Sequence, residues 1–245
     1  MKSQSVSVVM AVYNGLPYLA EQLRSVLAEL QDADELIIVD DQSSDGSWEM
    51  LVCCRDSRIT LMRNDVNLGV KQAFERALRV SKNNIIMLCD QDDVWIEGKR
   101  NAFVTQFEKN LNCTVVVSDA EVIDGNDMVI YPSFFDRRGG FKGGWLDTLI
   151  KNRYLGCCMA FRRDVVNLVL PIPSAVPMHD MWFGMLAVTL GEVCYIDKRF
   201  IKYRRHASNV SPSVRADLFT MLKWRFMLFK SVVFRLACRK IGIHS

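Results

Sequence analysis

Ile85-Ile86-Met87-Leu88-Cys89-Asp90-Gln91-Asp92-Asp93 decides how this chain is read: an apolar segment of strand length delivers three carboxylates within four residues. Crowding negative charge at one strand terminus raises every carboxyl pKa by mutual repulsion unless a cation sits there. Hard divalent ions favour oxygen ligands of this kind. The stretch predicts a buried strand that ends in a metal site serving a phosphorylated substrate.

Working outward, Val6 to Tyr13, Glu35 to Asp40, Ile59 to Arg63, Asn84 to Cys89 and Thr114 to Ser118 read as strands. Helical segments alternate with them over Pro17 to Leu30, Trp48 to Cys54, Val70 to Ser81 and Glu97 to Asn110. Strict alternation of this sort predicts an α/β fold, a mostly parallel sheet flanked by helices on both faces. Beyond Asp119 the pattern changes. Residues 120 to 145 (with IYPSFFDRRGGFKGGW) read as a long loop or flap over a site. Tyr154 to Phe161 reads as a buried strand, Arg163 to Val169 and Met181 to Leu190 as helices, and Val193 to Ile196 and Phe200 to Tyr203 as two strands.

With 245 residues, half of them hydrophobic, the chain can bury one large core. The first residues, MKSQSVSVVMAVYNG, lack a basic region followed by an unbroken apolar stretch and a cleavage site. The eight cysteines are therefore expected to be reduced, buried and cytosolic. No segment is apolar for long enough to span a bilayer. The net charge of +3 is unevenly spread: from Arg215 onward there are seven Lys or Arg against Asp217 alone, so the body before it is net acidic. A mildly acidic body with a basic tail is unlike a nucleic-acid binder, and no nucleic-acid partner is expected.

In an open parallel sheet, ligands bind at the carboxyl ends of strands. Three predicted strands end in groups suited to a nucleotide: Tyr13-Asn14-Gly15, Asp40-Asp41 and Asp90 to Asp93. Neither G-x-G-x-x-G nor a P-loop sequence is present, which argues against hydride transfer and P-loop phosphoryl transfer.

The ordered blocks VSVVMAVYNG, LIIVDDQSSDGS, NLGVKQAFERAL, MLCDQDDVW and HDMW resemble the family 2 glycosyltransferases with the GT-A fold, from about Val6 to Asn209. His179-Asp180-Met181-Trp182 together with YIDKRFIKYRRHASNVS is similar to the subgroup that builds bacterial surface polysaccharides such as O-antigen. The resemblance implies a Rossmann-like catalytic domain over 1–210, with a nucleotide-binding half (1–120) and an acceptor-binding half (121–210), followed by a basic, aromatic-rich helical tail (211–245).

It also implies roles. Asp40 would accept from a pyrimidine base that the Ala11, Val12 and Tyr13 backbone helps to hold; it reads equally as a helix cap. Asp90 and Asp92 would form the D-x-D pair, with Asp92 the direct ligand of Mn²⁺ or Mg²⁺ and Gln91 beside the donor. Asp93 would hold acceptor or ribose. Asp180 would be the base that takes the acceptor proton during inverting transfer, or merely the cap of its helix. His179 and Trp182 would contact the acceptor. Arg204 and Arg205 would neutralise the departing diphosphate, and His206 would join them or ligate the metal. Arg205 stands where the subgroup usually has Gln. Asn67 and Gly69 fit a turn near the nucleotide, and Gly156 either a small residue near the sugar or a site of close strand packing.

The implied activity is metal-dependent inverting transfer of a hexose, galactose or glucose preferred, from a nucleotide-diphosphate sugar to a lipid-diphosphate-linked saccharide. A dTDP-rhamnose donor is the nearest alternative; a sugar-phosphate nucleotidyltransferase or a non-catalytic glycan-binding module is more distant. The tail from Leu218 to Arg239 is expected to form a helix, either a peripheral anchor on the cytoplasmic face of an anionic membrane or a helix packed on the domain.

Overall fold

The computed structural model describes residues 4–207, 209 and 217–241. The expected boundary between domain and tail at 210/211, the basic Arg215 and the first three residues lie outside them. In chain order the elements are β1 (Val6–Val12), α1 (Leu19–Glu29), β2 (Glu35–Asp40), α2 (Ser47–Cys53), β3 (Ile59–Arg63), α3 (Val70–Val80), β4 (Ile85–Cys89), β5 (Val94–Trp95), α4 (Lys99–Lys109), β6 (Cys113–Asp124) and β7 (Val129–Tyr131). They continue with α5 (Trp145–Ile150), β8 (Met159–Arg162), α6 (Arg163–Val169), α7 (His179–Ala187), β9 (Glu192–Arg205) and α8 (Leu218–Lys240).

One sheet runs in the order β3-β2-β1-β4-β8-β6-β9-β5, with β7 on the flank of β6. The first four of these strands are mutually parallel. Continuous apolar runs such as LIIV and IIMLC fit strands covered on both faces, and β1, β2 and β4 are buried almost throughout. The chain steps outward from β1 to β2 to β3 and then returns to place β4 on the other side of β1. That reversal opens a crevice at the carboxyl ends of β1 and β4, where Val12 lies level with Asp40 and Met10 with Cys89.

The far half of the sheet is mixed. β8 is antiparallel to both β4 and β6, and β9 is parallel to β6. Here several expectations need correction. The segment from 120 is not simply a loop: β6 runs on to Asp124 and turns through Gly125-Asn126 into β7. The two strands expected after Val193 are one: the exposed Asp197-Lys198 step is an irregularity between Ile196, level with Ser118, and Arg199, level with Asp119, and pairing to β6 resumes beyond it. Tyr154 to Phe161 is mostly irregular, with a 3₁₀ turn at Gly156–Cys158 before the short β8. The sheet carries across residue 120 without a break.

Helix α8 packs back on the domain. Leu228, Val232 and Cys238 are buried, and Arg235 donates to the carbonyls of Leu168, Leu170 and Pro171 while lying over the Trp182 ring. A buried guanidinium that satisfies the last carbonyls of α6 both caps that helix and anchors the tail. A cleft of about 830 Å³ near Asn112, Arg162 and Arg235 sits at the starts of β6 and β9, the edge of the sheet opposite the crevice.

Candidate active site

The turn after β2 is densely hydrogen-bonded. Asp40 is buried, accepts from the Ser43 N–H at 3.1 Å and pairs with Arg63 at 3.1 Å, while its Oδ2 has no partner among the described residues. Since α2 begins only at Ser47, Asp40 is not its cap. Asp41 accepts from Asn64 Nδ2 (2.7 Å) and from the backbone N–H of Leu68 (2.9 Å) and Gly69 (2.7 Å). This carboxylate pulls the Asn67–Gly69 turn against β2; Gly69 takes φ +86°, which favours glycine. Asp45 receives Leu16 N, Ser47 N and the Ser47 hydroxyl, and its pKa is lowered.

Across the crevice, Gln91 bridges β4 to β1 with both ends of its amide: its Oε1 accepts from Tyr13 N–H at 2.7 Å and its Nε2 donates to Tyr13 C=O at 3.0 Å. The Tyr13 backbone is thus occupied, as are Ala11 and Val12 in the ladder to β2. The Tyr13 side chain is half-exposed.

The turn after β4 is the opposite of the first. Burial, then the charges of Asp92 and Asp180, push the Asp90 carboxyl up to about 7, with Lys99 opposing. Asp93 is fully buried and also raised, chiefly by burial; it accepts from Arg204 N–H at 2.9 Å, and its Oδ2 has no partner among the described residues. Asp92 is partly open. Its Oδ2 lies 2.8 Å from His206 Nε2 and 3.1 Å from Asn209 Nδ2. Beneath them Lys99, wholly buried over the Trp95 ring, donates to Cys157 C=O at 2.6 Å.

Two donor sets could hold a cation. Asp90, Asp93 and Cys157 bring ligand atoms within 4.8 Å of one another, but burial pushes the Cys157 thiol far up, and a protonated thiol is a poor ligand for an oxygen-seeking ion. Asp92 and His206 present an accessible carboxylate oxygen and an imidazole nitrogen side by side, with Asn209 third. That set fits Mn²⁺ or Mg²⁺.

Asp180 lies in the first turn of α7, whose N-terminus points into the crevice wall. Its Oδ1 accepts from Met181 N–H at 2.6 Å and its Oδ2 from Asn152 Nδ2 at 3.2 Å. Burial raises its pKa to about 6 despite those bonds and Arg138. It makes no side-chain capping bond to α7 beyond its immediate neighbour. His179 is wedged between Phe74 (4.5 Å) and Phe183 (5.7 Å), and neither ring nitrogen has a partner among the described residues. Burial, then Lys71, lowers it to about 4, so it stays neutral. Gly156 is buried beside it: a Cβ there would come within 3.3 Å of His179 Nε2, so both readings of this glycine meet in one place.

Three expected ligand contacts are placed elsewhere. Arg204 is 1% exposed, and its guanidinium is consumed by Asp92 C=O, Glu21, Asp127 and the Tyr18 ring, so it braces the acidic turn from below. Asp93 accepts from the same residue's backbone and lies under the site. Trp182 is fully buried with Nε1 donating to Val169 C=O, which makes it core. Arg205 stacks on and donates to Tyr203. Sequence reasoning places Asp41 only with Asp40 at the strand end and missed Lys99, Asn152 and Asn209. Only Asn209, three residues after His206, carried a local signal.

A parallel nucleotide-type half fused to a mixed half, with an acidic turn at the switch between them, is the GT-A arrangement. The chain belongs to glycosyl transferase family 2, whose profile matches residues 7–169. It is 28% identical over 232 residues to the UDP-Glc:alpha-D-GlcNAc-diphosphoundecaprenol beta-1,3-glucosyltransferase WfgD of Escherichia coli, covering 89% of this chain and 84% of that one. A second E. coli enzyme of the same description, WfaP, is 33% identical over 94 residues, 38% of each chain. Among solved structures, S. aureus TarS 1-349 in complex with UDP-GlcNAc superposes with a TM-score of 0.70 at 16% identity, over 94% of this chain and 66% of that one. The mannosyltransferase PcManGT from Pyrobaculum calidifontis in complex with GDP-Man and Mn2+ does so at 0.58 and 18% identity, over 78% and 54%.

Proposed function

We infer that this chain is an inverting hexosyltransferase. It moves glucose, or galactose, from a uridine-diphosphate sugar to a lipid-diphosphate-linked saccharide during surface polysaccharide assembly at the cytoplasmic face of a membrane. The observation that carries the reading is the division of the crevice. Asp40 with an unpartnered buried oxygen stands on one side, the open Asp92-His206-Asn209 group at the centre, and a carboxylate of raised pKa, Asp180, on the other. The likeness to the diphosphoundecaprenol glucosyltransferase named above supports UDP-glucose rather than dTDP-rhamnose as the donor of this chain.

In this reading the crevice beside Tyr13 and Asp40 takes the base, with the Asp40 Oδ2 accepting from the ring N–H. Asp92 and His206 would hold Mn²⁺ or Mg²⁺, which when bound supplies the charge neutralisation a departing diphosphate needs. Asn152 fixes the Asp180 carboxylate so that a free lone pair takes the proton of the acceptor hydroxyl as that oxygen attacks the anomeric carbon. Attack opposite the leaving group inverts the configuration. His179, neutral and unpaired, suits a sugar hydroxyl as donor or acceptor. α8 seats the protein on the membrane.

A donor screen tests the proposal: purified protein, a lipid-diphosphate N-acetylglucosamine acceptor, UDP-glucose, UDP-galactose and dTDP-rhamnose in parallel, and Mn²⁺ with and without chelator. Metal-dependent turnover of a UDP-hexose is expected; turnover insensitive to chelator would remove the role given to Asp92 and His206.

A further inference from the structure

Helix α8 presents two apolar stripes, one docked and one exposed. Leu228, Val232 and Arg235 turn inward and dock the helix. Leu218, Leu222, Phe226, Phe229 and Val233 recur at i, i+4, i+8, i+11 and i+15, and all are exposed, Phe226 at 64%. A solvent-facing helix side normally carries polar residues, so a second apolar stripe calls for a partner. The stripe does not stop at α8. Trp145 of α5 meets Phe229 with ring centroids 5.7 Å apart, and Arg225 donates to the C=O of Ile150. On α5 itself Leu146 and Ile150, one turn apart, are 69% and 70% exposed. Nothing among the described residues covers either helix's outer face.

The geometry points to a composite docking face, built by α5 and α8 together, whose partner is the surface of an anionic bilayer. This rests on the membrane location proposed above and extends it from the tail to the catalytic domain. Three observations choose the occupant. α8 contains no acidic residue from Leu218 to Lys240, and Lys223, Lys230 and Lys240 are exposed around the stripe, which suits anionic headgroups. No helix among the described residues is long and apolar enough to cross a membrane, so the face lies on the bilayer rather than in it. A second copy of the chain fits worse, because a two-fold contact through this face would set its lysines against their own images.

The position of α5 gives the face a consequence for the site. Two residues beyond Ile150, Asn152 donates to the Asp180 carboxylate at 3.2 Å, and Arg138 Nη2 ties down its C=O at 3.1 Å. The bilayer-facing helix therefore runs straight into the residue that positions the base. An acceptor whose diphosphate stays at the headgroup level would reach Asp180 along α5.

The test is co-sedimentation of the full chain with vesicles of equal parts phosphatidylglycerol and phosphatidylcholine, against pure phosphatidylcholine. Wild type should pellet with the anionic vesicles and be partly released by salt. The pair Leu146→Ser with Ile150→Ser should weaken that partitioning about tenfold by removing two apolar side chains from the interface, as should Leu222→Ser with Phe226→Ser. Both pairs should keep the wild-type melting temperature and unchanged turnover of a water-soluble acceptor. Wild type that ignores anionic vesicles overturns the proposal; so does an α5 pair that binds like wild type, or a wild-type dimer that the α5 pair makes monomeric. Vesicle binding is read without donor or turnover, so its failure leaves the transferase proposal standing, and an inactive protein that still binds leaves this one standing.

Discussion

The two strands that flank β1 end in crowded carboxylates, and the structure treats them in opposite ways. After β2, Asp40, Asp41 and Asp45 are met by backbone N–H groups, Asn64, Ser47 and Arg63, so their charge is absorbed by the protein. After β4, Asp90 and Asp93 are raised by burial and then by the charge of Asp92, and the Asp92 carboxylate meets a histidine and an amide. The first turn builds a rigid cradle; the second keeps an unmet demand for positive charge. Composition alone does not separate them. What does is the supply of donors, and that follows from which backbone segments pass overhead.

The comparison breaks most decisively on activity. Asp92→Asn should lower turnover on the order of 10³-fold, the several kcal/mol that a metal-held leaving group is worth. Its melting temperature in chelator should stay at or above wild type, because a repelling charge has gone. A matching loss of stability would mean that the second turn is as structural as the first. Asp41→Ala should do the reverse, since three donors lose one acceptor: we expect about 3 kcal/mol of destabilisation in denaturant unfolding, within the range for buried groups left unpaired. An Asp41→Ala protein as stable as wild type would undo the contrast from the other side. Smaller again, Mn²⁺ at a hundred times its dissociation constant should stabilise wild type by about 2.7 kcal/mol in thermal unfolding, and Asp92→Asn hardly at all.

How much of this was legible in the sequence follows the same division. The parallel half could be read through Cys89 because its strands are continuous apolar runs, its helices keep their period, and each ends in polar residues at the one edge where ligands collect. β9 reads as two strands because Asp197, Lys198 and Arg199, all exposed, interrupt its hydrophobicity where its pairing to β6 shifts register. The hairpin turn Asp124-Gly125-Asn126-Asp127 carries turn residues, but the weak periodicity around it reads as loop. In the site, Asp92 lies beside His206 and Gly156 beside His179. Arg204, Asp93 and Trp182 did not reach the surface expected of them, because a one-dimensional motif does not show which side of a strand or helix faces inward. Asn152 and Lys99 matter only through partners 28 and 58 positions away, Asp180 and Cys157.

The mildest prediction concerns the far wall of the crevice, where Asp180 stands between the two regimes: it has two donors, yet its pKa is still raised to about 6. A base works deprotonated, so kcat/KM should be flat above that value and fall as pH drops through it, about tenfold by pH 5. The raised value also means that the neutral form is favoured on folding, so the group costs stability as pH rises from 3.8 through about 6 and Asp180→Asn should relieve that cost. Asp90 titrates nearby, which makes the assignment testable. A bound cation lowers the pKa of the carboxylates that face it, so an inflection belonging to the β4 turn should move with Mn²⁺ concentration. One belonging to Asp180, held by Asn152 and Met181 rather than by the acidic cluster, should stay in place. An inflection that tracks the metal would transfer the acid limb from the base to the cluster, and would join the far wall to the unmet side of the comparison.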